Sequence, residues 1–294
     1  MNYKEFLQYI QKKVQERLGE NTRVELHHIQ KNNAISRDGL LILEEGRSLS
    51  PTIYLNTYYD AYRLGMSVPE ILADILAGYK NNRVPEGKET DFYKDFSNVS
   101  GRIICKLINF EKNREFLKRV PYFSYLDLAA VCCYLLEDET IGKGTIQIYR
   151  SHLELWEITE EELFECAREN TARLLPWCFQ SMEELFGEHQ EEMILRDSTD
   201  FFPMYILSNK LKMFGATCIL YDHILESVGE KLGESFYILP SSVHECIIVP
   251  DTIPFTREML RNMVREINET QVLPEEVLSG EVYHYDRLLH RLSV

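Results

Sequence analysis

The chain opens with Phe6, Leu7, Ile10, Val14 and Leu18 at helical spacing, and Gly19 follows as a stop signal. This predicts an amphipathic helix over residues 1–18. Val24 and Leu26, with Ile29 after a slip, and the apolar residues 40–43 form two short strand patterns. Asn32, Asn33, Arg37, Asp38 and Gly39 between them supply turn chemistry, so a hairpin is expected. A third extended piece at 51–55 leads into a helix from Asn56 that carries Tyr58, Tyr59, Tyr62 and Leu64 and ends at Gly65. Ser67, Pro69 and Glu70 then cap a helix over 68–81, with Ile71, Leu72, Ile75, Leu76 and Tyr79 on its apolar face.

Residues 83–91 read as a linker. Val99, Ile103, Ile104, Leu107 and Ile108 predict a helix over 98–109, and Phe116, Leu117 and Val120 a further one. The most apolar stretch, 125–136, reads as a strand buried on both faces, paired with 145–149 across the glycines at 142 and 144. Thr159 and Glu162 cap a helix carrying Leu163, Phe164, Ala167 and Thr171 before Pro176. After an acidic, patternless connection at 187–202 come strand 204–208, helix 215–229, strands 236–239 and 244–249, helix 256–270 and a strand at 282–285. This β-α-β-β-α-β order suits an antiparallel sheet with helices on one face. The expected fold class is α+β, with mixed helices and mainly antiparallel sheets. The expected domains are 1–186 around the central hairpin, the connection 187–202, and the module 203–294.

Composition excludes several classes. The 294 residues carry Lys+Arg 32 against Asp+Glu 47, and the net charge of -15 is uneven. Residues 1–150 are nearly neutral, whereas 151–200 carry 14 acidic side chains and 3 basic ones. An acidic field repels phosphate and anionic lipid, which disfavours nucleic acid and leaves the neutral first half as the only place for such a groove. The densest basic group there is Lys112, Arg114, Lys118 and Arg119. The seven cysteines, an odd count without regular spacing, read as free thiols in a reducing cytoplasm. Charges through the first helix exclude a signal peptide, and no apolar run is long enough for a membrane span.

Candidate chemistry is sparse. His27 and His28 are adjacent on a strand, so they point to opposite faces and do not share a metal ion; no metal or cofactor is expected. His244 and Cys246, after Ser241 and Ser242, would share a face of the strand that begins there, so a thiol nucleophile with an imidazole base is conceivable. Asp127 or Asp222 would then orient the base. Against it stands the ordinary reading of Cys246 as a core residue. Ser241 and Ser242 lack a nucleophile elbow, and the glycines at 142 and 144 lack the spacing of a phosphate loop. The cluster of Tyr54, Tyr58, Tyr59 and Tyr62 could serve a ligand, although its helical spacing also suits packing. The acidic run Glu183, Glu184, Glu188, Glu191, Glu192, Asp197 and Asp200 could meet a basic partner.

Several segments carry a resemblance: residues 40–46, Ser-Pro-Thr-Ile-Tyr-Leu-Asn at 50–56, Lys-Leu-Ile-Asn at 106–109, Leu-Asp-Leu-Ala at 126–129, His-Leu-Glu-Leu-Trp at 152–156, Glu-Asn-Thr at 169–171 and Leu-Pro-Ser-Ser-Val-His-Glu at 239–245. In these the chain resembles a bacterial domain-of-unknown-function family, number five-six-eight-eight. Its second half is also similar to family number fourteen-forty-four. Neither has an assigned reaction, so the resemblance implies a bacterial, cytoplasmic α+β protein and carries over no catalytic residue. It singles out Asn56, Asp127, Trp156, Asn170 and Ser241, Ser242, His244 and Glu245. The expected function is a non-enzymatic binding or adaptor protein, with a protein partner, of basic character if it is chosen by charge, at the acidic 151–200 segment. The alternatives are a hydrolase using His244 and Cys246, and a nucleic-acid-associated protein binding through its N-terminal half.

Overall fold

In the computed structural model, which describes residues 1–44, 50–82, 93–138, 142–186 and 203–294, Asn2 starts the first helix through a reciprocal cap. Its side chain accepts the Glu5 amide at 2.9 Å, and the Glu5 carboxylate accepts the Asn2 amide at 3.0 Å. Helix α1 (Tyr3–Leu18) buries Phe6, Ile10 and Val14, and Gly19 ends it at a φ of 82°. Strands β1 (Thr22–Gln30) and β2 (Ser36–Glu44) form the expected hairpin, and β3 (Thr52–Tyr54) adds to β2. Helices α2 (Leu55–Arg63) and α3 (Val68–Asn81) complete a core in which Leu40, Ile42, Leu55, Ile71 and Ile75 are buried with the face of α1. The expected linker at 83–91 lies outside the described residues. This first unit comprises Met1–Val99 and Leu135–Thr145.

The second unit, Ser100–Tyr134 with Ile146–Val294, begins with a correction. Of the helix expected at 98–109, the first residues end the short α4 (Phe96–Val99) of the first unit, Ser100–Arg102 is a 3₁₀ turn, and Ile103–Asn109 is a strand, β4, paired antiparallel with β6 (Leu128–Asp138). The helical period of Ile103, Ile104, Leu107 and Ile108 also fits a strand buried on both faces, and every residue of β4 but Lys106 is buried. Helix α5 (Arg114–Leu117) and strand β5 (Tyr122–Tyr125) follow, β5 pairing with β6. Strand β7 (Gly142–Gln147) also pairs with β6, so the glycines at 142 and 144 belong to the strand; residues 139–141 are not described.

Successive residues of β4 and β6 serve two cores, as a pleat requires. Leu107, Leu128 and Ala130 join the main core, whereas Ile108, Ala129 and Val131 pack with Leu117 and Val120. The outward amides of β4 are capped by side chains: Cys105 N–H donates to Thr171 Oγ1 at 2.8 Å and Leu107 N–H to Thr217 Oγ1 at 3.2 Å, both buried. Thr217→Val removes one acceptor at nearly constant volume, and its expected cost in urea unfolding is about 1–3 kcal/mol.

Helices α6 (Arg150–Trp156) and α7 (Glu160–Leu174) precede β8 (Trp177–Ser181) and α8 (Met182–Phe186). Then come β9 (Tyr205–Asn209), a 3₁₀ turn at Gly215–Leu220, α9 (Ile224–Leu232), β10 (Phe236–Leu239), β11 (Cys246–Pro250), α10 (Arg257–Thr270), β12 (Tyr283–Asp286) and β13 (Arg291–Ser293). The β-α-β-β-α-β order is present within a six-stranded sheet of order β13-β12-β10-β11-β9-β8. Two expectations are corrected. The helix expected at 215–229 is a 3₁₀ turn and a shorter helix, separated at Tyr221 by extended backbone and at His223 by a left-handed φ of 60°. The two long helices also lie on opposite faces: Ile238 and Ile248 join the core with Ile224 and Val228 of α9, whereas Leu239 and Val249 meet Leu260 and Val264 of α10.

Candidate functional site

The 241–245 loop, which links β10 to β11, is pinned from two sides. On one side Leu278 and Ser279 amides donate to the Ser241 and Pro240 carbonyls, each at 2.9 Å, and Val243 N–H donates to the Glu276 carbonyl at 2.9 Å. On the other, the Ser208 hydroxyl donates to the His244 carbonyl at 2.7 Å. Ser241 and Ser242 are buried, and Ser242 Oγ accepts the His244 amide at 3.0 Å. His244 is stacked on Phe214 with ring centroids 6.1 Å apart. It lines a small cavity of about 340 Å³ with Lys212, Glu245, Gln271 and Glu276.

Both ring nitrogens of His244 are engaged. Phe214 N–H donates to Nδ1 at 3.4 Å, and Nε2 faces Glu276 Oε1 at 3.4 Å. A neutral ring whose Nδ1 accepts a hydrogen bond carries its proton on Nε2, on the side of the carboxylate, so its one lone pair is the one turned to the Phe214 amide. Cys246 lies in β11 with its side chain fully buried, and burial pushes its thiol well above the usual range. The loop thus provides neither an available base nor an accessible thiolate. The carboxylate facing His244 is Glu276, which follows it by some thirty residues without any motif to announce it.

The two aspartates serve elsewhere. Asp127, at the turn between β5 and β6, accepts the Ser279 hydroxyl at 2.6 Å and the hydroxyl of buried Tyr283. Asp222 faces Arg168 at 3.5 Å. In the first unit, Asn56 accepts the Asp38 amide at 2.9 Å and donates to Tyr3 Oη at 2.8 Å, while Tyr3 donates to Asp38 at 2.6 Å. Burial raises the Asp38 carboxyl, but hydrogen bonds from Tyr3 and His28 outweigh it and hold the group below its usual range. His27 and His28 face separate carboxylates, Glu25 at 2.7 Å and Asp38 at 3.0 Å. Tyr58 donates to Asp74 at 2.7 Å, and burial with that carboxylate pushes its phenol up to about 12. Tyr59 and Tyr62 pack on Phe6. In the second unit, Trp156 is buried and stacked on His152, and Asn170 is buried with its amide on the Ser100 carbonyl at 2.7 Å.

The second unit also holds a larger, apolar cavity that no motif marks. Its volume is about 590 Å³, and its walls come from β5 (Phe123, Tyr125), α7 (Phe164) and the 3₁₀ turn (Ile219, Leu220). Phe123 and Phe164 meet edge to face at 5.1 Å. The polar groups of the floor are satisfied internally. Thr171 and Thr217 cap β4, and the Tyr221 hydroxyl donates to the Leu175 carbonyl at 2.9 Å. A ligand there meets apolar surface below and charge only at the rim. That rim is one face of α7, where Glu161 and Glu165 are exposed and make no ion pair among the described residues. Arg168, on the same face, pairs with Asp222, and with both side chains more than half exposed the pair is weak. A smaller cavity of about 420 Å³, lined by Trp177 and Ile224 among others, shares Arg168 and Tyr221 with it.

A family model described only as a family of unknown function, DUF5688, matches residues 3–287. No curated protein matches the chain, and no solved structure does.

Proposed function

The chain belongs to DUF5688, a family that supplies no reaction to carry over, and from its own residues we propose a binding protein without chemistry of its own, whose site is the apolar cavity beneath the acidic face of α7. The observation that carries this reading is the combination of a cavity of ligand size with a carboxylate rim. The occupant that fits is a segment of a protein partner, with a leucine or aromatic anchor for the cavity and Lys or Arg beside it for Glu161 and Glu165. On this reading the basic partner would meet the described part of the acidic 151–200 segment; Glu188, Glu191, Glu192, Asp197 and Asp200 lie outside the described residues. The seven cysteines are free thiols, which supports a reducing, cytoplasmic location. The likeness of the second half to family fourteen-forty-four adds no chemistry.

The alternatives have less behind them. A hydrolase built on His244 and Cys246 lacks both an available base and a thiolate. For a nucleic-acid surface, Arg114 and Lys118 pair with Glu111 and Glu115 at 2.7 and 2.6 Å, so the densest basic stretch is locally balanced.

Fluorescence anisotropy with a labelled Lys-Phe-Phe-Lys peptide tests the proposal. Binding is expected to weaken with salt, and the double variant Glu161→Lys, Glu165→Lys is expected to raise Kd at least about tenfold. Equal binding of a Glu-Phe-Phe-Glu peptide, or no binding of either, would remove the reading.

A further inference from the structure

From the turn between β12 and β13 into β13 the chain runs Arg-Leu-Leu-His-Arg at 287–291, and it holds the two most exposed large hydrophobic side chains among the described residues of the second unit. Leu288 is 84% and Leu289 70% exposed. Single exposed leucines are ordinary, but two in succession on a turn that is actively held in shape are not. Asp286 Oδ1 accepts the amides of both leucines at 2.9 Å, and Ser235 Oγ accepts the Arg287 amide at 3.0 Å. His290 takes a left-handed φ of 48°, with its Nδ1 3.2 Å from the Tyr285 hydroxyl. The turn is thus fixed, and what it fixes is a leucine pair in water between two arginines. His290 also faces Glu226 at 3.3 Å; Arg287, half-buried, donates to the Gly233 carbonyl at 3.1 Å, Arg291 is exposed, and neither arginine makes an ion pair among the described residues.

This tip has the chemistry that the α7 cavity calls for. Apolar anchors would enter an apolar cavity, and the flanking guanidiniums would meet Glu161 and Glu165. We propose that the occupant of the cavity is the 287–291 turn of a second copy of this chain. The inference rests on the reading of that cavity as a site for a basic, apolar segment, and it names the partner. Because the fixed turn has little order to lose on docking, the contact gains from preorganisation. Because it is small, the association is weak, micromolar or above. If each copy gives its turn and receives the other's, the contact closes as a two-fold dimer; a one-way contact would propagate into chains.

Sedimentation velocity on the full chain, from low to several hundred micromolar, provides the test. The wild type is expected to associate as concentration rises and salt falls. The double variant Leu288→Asp, Leu289→Asp, altered only at exposed positions, is expected to raise the Kd of self-association at least about tenfold. The sharper test is a charge exchange. Glu161→Lys with Glu165→Lys, and Arg287→Glu with Arg291→Glu, should each abolish self-association, and an equimolar mixture of the two proteins should restore it, because each turn then meets a cavity rim of opposite sign. A wild type monomeric at every concentration, or a mixture no better than its components, overturns the inference. If that monomer still binds the Lys-Phe-Phe-Lys peptide, the cavity reading stands and only self-docking falls. Failure of the peptide as well removes both.

Discussion

Replacing Asp127 by alanine is expected to lower the unfolding free energy by about 2–4 kcal/mol, because it removes the charged acceptor of two hydroxyl groups at once. The carboxylate accepts from Ser279 at 2.6 Å and from Tyr283, whose side chain is fully buried in the main core. Burial, reinforced by the neighbouring carboxylate, pushes the Tyr283 phenol far above its usual range, so the hydroxyl stays a donor throughout the accessible pH range. Without Asp127 that buried donor loses its carboxylate and keeps only the Ser279 hydroxyl beside it. The backbone of the turn is not what is lost: Leu126 keeps its left-handed φ of 55°, and the carbonyl of residue 127 still accepts the Phe110 amide at 3.1 Å. Tyr283→Phe alone removes the donor with its hydrogen bond and should cost only about 1–2 kcal/mol. Adding it to Asp127→Ala should cost less than the sum, and urea unfolding of the four proteins measures the coupling. A loss below about 1 kcal/mol for Asp127→Ala would show that the interaction is solvated and dispensable. The expected loss also explains why a residue singled out by resemblance need not be catalytic. Asp127 ties the β5–β6 turn to the 276–283 segment, and that segment pins the 241–245 loop.

How much of this was legible follows from where the signals reside. Caps are local, so Glu70 after Ser67 and Glu162 after Thr159 marked α3 and α7 at the right residues. Ile103 to Ile108 misled because a doubly buried strand has no alternation to display, and four apolar residues at helical spacing satisfy both geometries. The break at 221–223 carries no glycine or proline, and it arises where Tyr221 turns its hydroxyl to the Leu175 carbonyl across 46 positions of sequence. The helices fell on opposite faces of the sheet because both faces of β10 and β11 are apolar, an ambiguity that a single strand cannot resolve. The candidate loop at 241–245 was visible as a compact polar motif. The apolar cavity was not, since Phe123, Phe164 and Ile219 come from three distant segments and each reads alone as ordinary core. Only its acidic rim left a trace, as the local excess of glutamate along α7.

Gly215→Ala is expected to cost about 3 kcal/mol, and its cause is steric rather than conformational. Gly215 does not take a left-handed φ, so an alanine there is free of backbone strain. Its Cβ would instead lie inside van der Waals contact with the Ser208 hydroxyl and the His244 carbonyl, with the Asn209 amide at 3.0 Å. The hydroxyl can rotate or be removed, but the carbonyl belongs to a loop held from both sides. The Ser208 to His244 bond, at 2.7 Å, is the first to break, and β9, the 3₁₀ turn and the loop must part. Ser208→Ala combined with Gly215→Ala should therefore recover only part of the loss, because one of the two obstacles remains. The displacement should also reach the cavity, since Thr217 lies two residues on and caps the Leu107 amide at 3.2 Å on the cavity floor. The variant should thus lose both urea stability and peptide affinity, whereas Thr217→Val should lose stability alone if the cavity walls stay in place. A Gly215→Ala protein within about 0.5 kcal/mol of wild type would mean that the loop yields freely, and that its backbone bonds do not pin His244 against Phe214.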